Sequence, residues 1–258
     1  MRAVAIVQAR MGSTRLPGKV LRPLAGGPVL WHVVERARQA PGLAEVVVAT
    51  SSEPGDEAVQ AFCRERDISV FAGSETDVLD RYYRAATAFG ADPVVRITAD
   101  CPLVDPDVID RVLGLYRTGR YDYVASAAGA PARLCDGGRY PDGLSVEVCS
   151  YAALARAWRE ADERSDREHV TPYLSRVPGR FRVGIVRSAA DLSHLRLTVD
   201  YEEDLELVSR LYEALYSDER PFFGLAEVVA HLEAHPELAD VNREHAAAGA
   251  PTRLREAV

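Results

Sequence analysis

Residues 3–21 read AVAIVQARMGSTRLPGKVL. The first five, Ala3–Val7, are an unbroken apolar run. That is the pattern of a strand covered on both faces, not of an alternating strand with one wet face. The chain then changes character at once. Arg10, Arg15, Lys19 and Arg22 place four cations within thirteen residues. Gly12 and Gly18 let backbone amides approach an anion, and Ser13 and Thr14 add hydroxyls. Ligands in open α/β sheets bind beyond the carboxyl ends of strands. Cations, free amides and hydroxyls together suit a polyphosphate. The spacing is not that of a P-loop. Five residues separate Gly12 from Gly18 where the P-loop has four, Val20 stands where it has Ser or Thr, and Pro17 stiffens the turn. A solvated basic loop is the plain alternative, and the position directly behind a buried strand argues against it.

Outward from this stretch the same run recurs in Val46–Ala49 (VVVA), Val94–Ile97 (VVRI) and Tyr123–Ala127 (YVASA). Helical patterns separate the runs. Pro28–Gln39 carries Val29, Leu30, Val33, Val34 and Ala37 on one face, and Glu57–Arg66 and Asp77–Phe89 are similar. This alternation predicts an α/β fold with a mostly parallel sheet covered by helices. After it, Gly129–Gly143 reads as a long loop, and Leu144–Val148, Arg182–Val186 and Leu195–Val199 read as strands. Glu202–Tyr216 reads as a helix with Leu205, Val208, Leu211 and Leu215 in register. No repeat or linker divides the chain, so residues 1–258 are expected to form one domain. Residues 129–190 are expected as a small extension serving acceptor binding or dimerisation, and residues 246–258 are expected to fray.

A net charge of −8 argues against broad nucleic-acid or anionic-membrane binding. Cys63, Cys101, Cys135 and Cys149 include no C-x-x-C pair and no histidine at zinc spacing, so reduced thiols are expected. The apolar run at the N-terminus ends in charge instead of a cleavage site, and no stretch reaches membrane-span length. The expected location is the cytoplasm.

Two aspartates follow apolar runs. Asp100 lies in RITADCPLVDP (Arg96–Pro106), and Asp200 lies in LRLTVDYEEDL (Leu195–Leu205). A carboxylate at a sheet edge can hold magnesium against phosphate oxygens, because that ion takes few protein carboxylates and fills its octahedron with phosphate and water. Two carboxyl groups more than about 8 Å apart could not share one such ion. The alternative for Asp200 is capping the following helix with Glu203 as partner. Asp105, before Pro106, fits an N-cap better than a ligand.

The stretch Gln8–Leu21 resembles the opening signature of the cytidylyltransferase family, which includes synthetases of CMP-activated 2-keto sugar acids. The likeness is nearest to a branch named for spore coat polysaccharide biosynthesis. It implies a Rossmann-like nucleotidyltransferase fold, CTP as donor, Mg2+ as cofactor and a homodimer. It also implies that Arg10, Ser13 and Lys19 contact the phosphates with Arg15 beside them, so Arg10, Arg15 and Lys19 are the expected catalytic cations. Gln8, Ala9, Gly12, Ser74 and Arg96 join the expected nucleotide contacts. Thr50, just after the second strand, is placed to bond the base or ribose. Ala99-Asp100-Cys101-Pro102 and Thr198-Val199-Asp200 resemble the family's two metal-binding segments. Three further segments are similar to the family's: Gly73–Tyr82 (GSETDVLDRY) to one near the base, and Tyr140–Val148 (YPDGLSVEV) and Arg167–Tyr173 (REHVTPY) to acceptor-side segments. These make Asp142, Glu147, Glu168 and His169 the expected acceptor contacts. Asp142-Gly143 is equally a turn signal, and Arg167, Glu168 and His169 cannot share one helix face.

The reaction expected is attack of an acceptor oxygen on the α-phosphorus of CTP with loss of pyrophosphate. Two other readings stand beside it. A glycosyltransferase on a similar sheet would hold metal through a D-x-D, whose letters occur at Asp105-Pro106-Asp107. A non-catalytic nucleotide-binding subunit is the other. A dinucleotide oxidoreductase lacks its G-x-G-x-x-G in the first loop.

Overall fold

The computed structural model describes residues 1–134, 136–176, 179–217, 219 and 221–245, apart from the side chains of residues 130 and 132. Residues 246–258, expected to fray, and Cys135 lie outside the described residues. The first apolar run becomes β1 (Val4–Gln8), with Val4–Val7 wholly inaccessible. A two-stranded ribbon follows, β2 (Pro23–Leu24) with β3 (Gly27–Pro28), and leads into α1 (Val29–Arg38). Val29, Leu30, Val33, Val34 and Ala37 of α1 are all fully buried, as their spacing requires. Each such Val or Leu contributes roughly 1.5–3 kcal/mol through burial. The chain continues through β4 (Glu45–Ser51), α2 (Glu57–Glu65), β5 (Ser69–Gly73), α3 (Val78–Ala88), β6 (Val94–Thr98), α4 (Pro106–Arg117) and β7 (Tyr123–Ser126). Beyond these come β8 (Glu147–Cys149), α5 (Tyr151–Glu160), α6 (Arg164–His169), α7 (Pro172–Arg176) and β9 (Val183–Val186). The chain ends in α8 (Glu202–Leu215), α9 (Leu225–Ala234) and α10 (Pro236–Ala239). No described helix is long and apolar enough to cross a membrane.

Seven strands form one sheet in the order β5-β4-β1-β6-β8-β7-β9. All neighbours are parallel except β8, which runs against β6 and β7. Two apolar clusters sit on opposite faces. One gathers α1, α4 and α8 residues such as Leu30, Ile109 and Val208, and the other gathers α3 and α5 residues such as Leu79 and Leu154. The fold is thus the expected Rossmann-like sheet with helices on both faces.

Residues 129–190 supply β8 and β9, so this stretch is woven into the central sheet. Gly129–Gly143, expected as loop, contains a 3-10 turn at Ala130–Leu134. Leu144 and Val146 are buried, but the ladder of the expected Leu144–Val148 strand begins only at Glu147. Leu195–Val199 is not a ladder strand. Its alternation is real, since Leu195, Leu197 and Val199 are buried, yet only Arg196 makes a bridge, to Asp142. Its backbone hydrogen bonds go to loop carbonyls instead, with Leu197 N on Asp142 O at 2.7 Å and Val199 N on Asp100 O at 2.8 Å. The segment is laid across the loops that leave the sheet, and this carries Asp200 to the mouth of β6.

Candidate active site

Strand order reverses between β1 and β6, the place where open α/β sheets leave a crevice. A cleft of about 770 Å3 opens there. Gln8, Ala9 and Arg10 leave β1 into it, and Thr98, Ala99 and Asp100 leave β6 beside them. The first loop is held from below by Asp56, which accepts from Met11 N at 2.6 Å and Ser51 N at 3.0 Å. Burial pushes the Asp56 carboxyl up, but these bonds outweigh burial and hold it below the usual carboxylate range. Gly18 turns through φ 67° and donates to Met11 O at 3.1 Å. Leu16 and Val20 are each 2% exposed and anchor the loop in the core on either side of that turn.

Lys19 is the centre of the site. Its Nζ lies 2.6 Å from Oδ2 of Asp100 and 2.6 Å from Oδ1 of Asp200. The two oxygens are therefore no further apart than twice that distance. Oδ2 of Asp200 is ion-paired with Arg15 Nη2 at 2.9 Å and accepts from Arg196 Nη2 at 3.1 Å. Burial works to lower the Lys19 pKa, and the two carboxylates outweigh it and raise it. Burial likewise works to raise the Asp100 carboxyl, and the Lys19 ammonium overcomes this and holds it below its ordinary value. Two carboxylate oxygens converging on one small cation are hard donors at a spacing a magnesium ion can bridge while phosphate and water fill its other positions. The donor set fits that ion.

Gly12, Ser13 and Arg15 also line the cleft, and Glu168 and His169 line it together with Arg164, Glu75 and Thr76. Arg167 points elsewhere: its Nε donates to Asp77 at 3.1 Å. Three consecutive polar residues on a helix end are thus split between the cleft and a structural ion pair. Five expected contacts do not line the cleft. Thr50 is fully buried in β4. Ser74 accepts from Asp77 N at 3.0 Å, bracing the start of α3. Arg96 and Glu147 face each other in the β6–β8 register and form an ion pair. Glu147, 3% exposed, also accepts from Tyr123 Oη at 2.6 Å and Thr171 Oγ1 at 2.8 Å, which holds it inside the sheet layer. Asp142 is tied to Arg196 Nη1 at 2.9 Å. The helix-capping alternative for Asp200 is also corrected. Tyr201 is the N-cap of α8, and Asp204, not Glu203, reaches back to the backbone amides of Asp200 and Tyr201 at 2.9 and 3.1 Å. Asp105 caps α4 as expected, accepting from Asp107 N at 2.8 Å and Val108 N at 3.3 Å.

Arg81 and Arg164, which line the cleft, and Arg196, which holds Asp200, were not among the expected contacts. Arg81 is 1% exposed, lines the cleft and donates to Ser74 O at 2.9 Å. Its signal was an arginine on the apolar stripe Val78, Tyr82, Ala85. Arg196 had no local signal, because its partners are read only from the fold. A second hollow of about 800 Å3 beside the β2–β3 ribbon is mostly apolar, with Arg66 and Glu213 at its wall, and brings together no comparable set of charges.

The sequence model of the cytidylyltransferase family matches residues 4–220. The spore coat polysaccharide biosynthesis protein SpsF of Bacillus subtilis is 34% identical over 240 residues, covering 91% of this chain and 95% of that protein. A 3-deoxy-manno-octulosonate cytidylyltransferase of Geobacter metallireducens is 40% identical over 113 residues, 44% of each chain. Among solved structures, a cytidylyltransferase of Leptospira borgpetersenii superposes with a TM-score of 0.82 at 28% identity, covering 93% of this chain and 97% of that one.

Proposed function

This chain belongs to the cytidylyltransferase family and is an enzyme of the nucleotidyltransferase class, and from that premise we propose that it transfers CMP from CTP to a sugar acid, sugar or related acceptor, releasing pyrophosphate. The observation that carries the reading is the convergence of Lys19, Asp100 and Asp200 where β1 and β6 open. Arg10, Arg15 and Lys19 bind the triphosphate and offset the charge that gathers on the leaving pyrophosphate. Gln8, Ala9, Gly12 and Ser13 form the nucleotide side of the cleft. Asp100 and Asp200 would hold a magnesium ion, which supplies Lewis-acid neutralisation at the α-phosphate when bound. Glu168 and His169 orient the acceptor from the opposite wall, which makes residues 129–190 the acceptor-binding part of the chain. Catalysis is then mostly positioning and charge neutralisation. The relative named for 3-deoxy-manno-octulosonate supports a 2-keto sugar acid as the first acceptor to try. The reading includes a cytoplasmic homodimer that serves cell-surface polysaccharide or secondary-metabolite synthesis.

The test is pyrophosphate release from each of the four ribonucleoside triphosphates with a panel of 2-keto sugar acids, sugars and phosphorylated alcohols. Release with CTP and one acceptor class is expected. Equal use of all four triphosphates, or consumption of a nucleotide-sugar in their place, overturns the proposal.

A further inference from the structure

Residues 221–245 lie beyond the stretch that the family's sequence model matches, and they reach back to the site. Asn242 is 2% exposed. Its Nδ2 donates to the carbonyl of Arg196 at 3.0 Å and to Oδ1 of Asp204 at 2.8 Å. Asp204 is wholly buried and forms a two-pronged pair with Arg196, Nε to Oδ1 at 2.9 Å and Nη2 to Oδ2 at 3.0 Å. Paired forks of this kind fix the plane of a guanidinium as well as its place. The remaining donors of Arg196 then have set directions. Nη1 reaches Asp142 at 2.9 Å, and Nη2 reaches Oδ2 of Asp200 at 3.1 Å. An aspartate carboxylate turns easily about its last torsion. With Oδ2 engaged by Arg196, Oδ1 is the oxygen that faces Asp100 across the Lys19 ammonium.

We propose that Arg196, seated by Asp204 and Asn242, is a positioning residue that presents Oδ1 of Asp200 to a divalent cation shared with Asp100, so that the C-terminal segment carrying Asn242 completes the site. This rests on Asp100 and Asp200 being the metal pair. Partners that orient a ligand are typically worth 10- to 100-fold in metal affinity or activity. Arg196 touches no reacting atom in this arrangement and acts only through Asp200.

The experiment measures Mn2+ binding from the electron-paramagnetic signal of free Mn2+, with CTP present and without acceptor. It uses wild type, Arg196→Lys, Asn242→Ala and Asp100→Asn, each with its thermal midpoint. Arg196→Lys keeps the charge but loses the fork, and its Mn2+ affinity is expected to fall 10- to 100-fold. Asn242→Ala is expected to fall in the same direction by less, and it carries the comparison alone should Arg196→Lys not fold. If Asp100→Asn loses Mn2+ while folded Arg196→Lys and Asn242→Ala bind it as wild type does and are only less stable, the positioning role is overturned and the metal pair stands. If Asp100→Asn binds Mn2+ like wild type, the metal pair itself fails and the positioning role falls with it.

Discussion

Replacing Lys19 with methionine keeps most of the stem and removes the one charge that both carboxylates share. The Lys19 side chain is 11% exposed and those of Asp100 and Asp200 are 25% and 15% exposed, so solvent screens the trio only in part. Two unit charges about 5 Å apart at an effective dielectric of about 20 repel by roughly 3 kcal/mol. Breaking a buried pair from one side costs about 3–5 kcal/mol. Arg15 and Arg196 remain on Asp200, which puts the expected loss at the lower end. For a chain of this length about 3 kcal/mol lowers Tm by roughly 6–12 °C. The cation dependence is the sharper readout. In wild type the ammonium already neutralises the pair, so free magnesium has to displace it. In Lys19→Met the pair is open, and an ion at about 100 times its Kd returns about 2.7 kcal/mol. Thermal melts across a magnesium titration at constant ionic strength, without nucleotide, should show a depressed Tm that climbs in the variant and a nearly flat Tm in wild type. A wild type stabilised as much as the variant, or a variant that melts with wild type before magnesium is added, would refute the reasoning.

His32 is buried, edge-on to Tyr212 at 4.6 Å between ring centroids, with Nε2 2.6 Å from Leu24 O. Burial holds its pKa below the ordinary value, although the Leu24 contact pulls the other way. The unfolded chain therefore takes up this proton first. The His32 contribution is present above about pH 6.5 and is lost as pH falls towards the lower folded value, by at most about 1.4 kcal/mol per pH unit. Urea melts should show that His32→Gln removes this slope. Gly143 has φ 101°, and a Cβ there would meet the backbone at Leu197 C (2.5 Å) and Thr198 N (2.6 Å). Gly143→Ala should cost about 1–3 kcal/mol in urea melts, because neither neighbour can swing aside. Arg15 is 51% exposed, so Arg15→Gln should change stability by no more than about 1 kcal/mol. Pyrophosphate release by the same variant should fall roughly 100-fold or more if Arg15 meets the leaving group.

What the sequence disclosed was local. Ala3–Val7 has one reading as a doubly covered strand, and the charge change at Gln8 marks where it opens. Asp100 follows its own apolar run by the same logic. What stayed hidden depends on register or on a single position along a helix. Arg96 and Glu147 stand 51 residues apart and meet because β8 pairs antiparallel with β6. No local pattern announces that pairing, so an arginine and a glutamate that satisfy each other looked like ligand contacts. Choosing Glu203 over Asp204 as the cap partner was an error of one residue in the start of α8. The alternation of Leu195–Val199 was legible, but alternation reports burial and not ladder partners, and this segment bonds to loops.

Asp200 meets three cations, and their tethers give each a different part. Arg196 is bound on two sides to Asp204, which is wholly buried, so its departure would strand a charge in the core. Lys19 and Arg15 belong to the loop that follows β1, and Arg15 lies half in solvent. A polyanion arriving at that loop competes for Lys19 and Arg15, while Arg196 stays where Asp204 holds it. On the cytidylyl-transfer reading, Asp100 and Asp200 give up their shared ammonium only when triphosphate is there to receive it. Asp100 and Asp200, paired through Lys19, would be closed to a divalent ion arriving alone and would open to one carried by a nucleotide that draws Lys19 away. Net charge at the cleft floor then changes little during the exchange, which matters in a partly desolvated site where an uncompensated carboxylate is costly. The segment 221–245 enters this balance through Asn242, since the cation that must not move is the one it helps to seat.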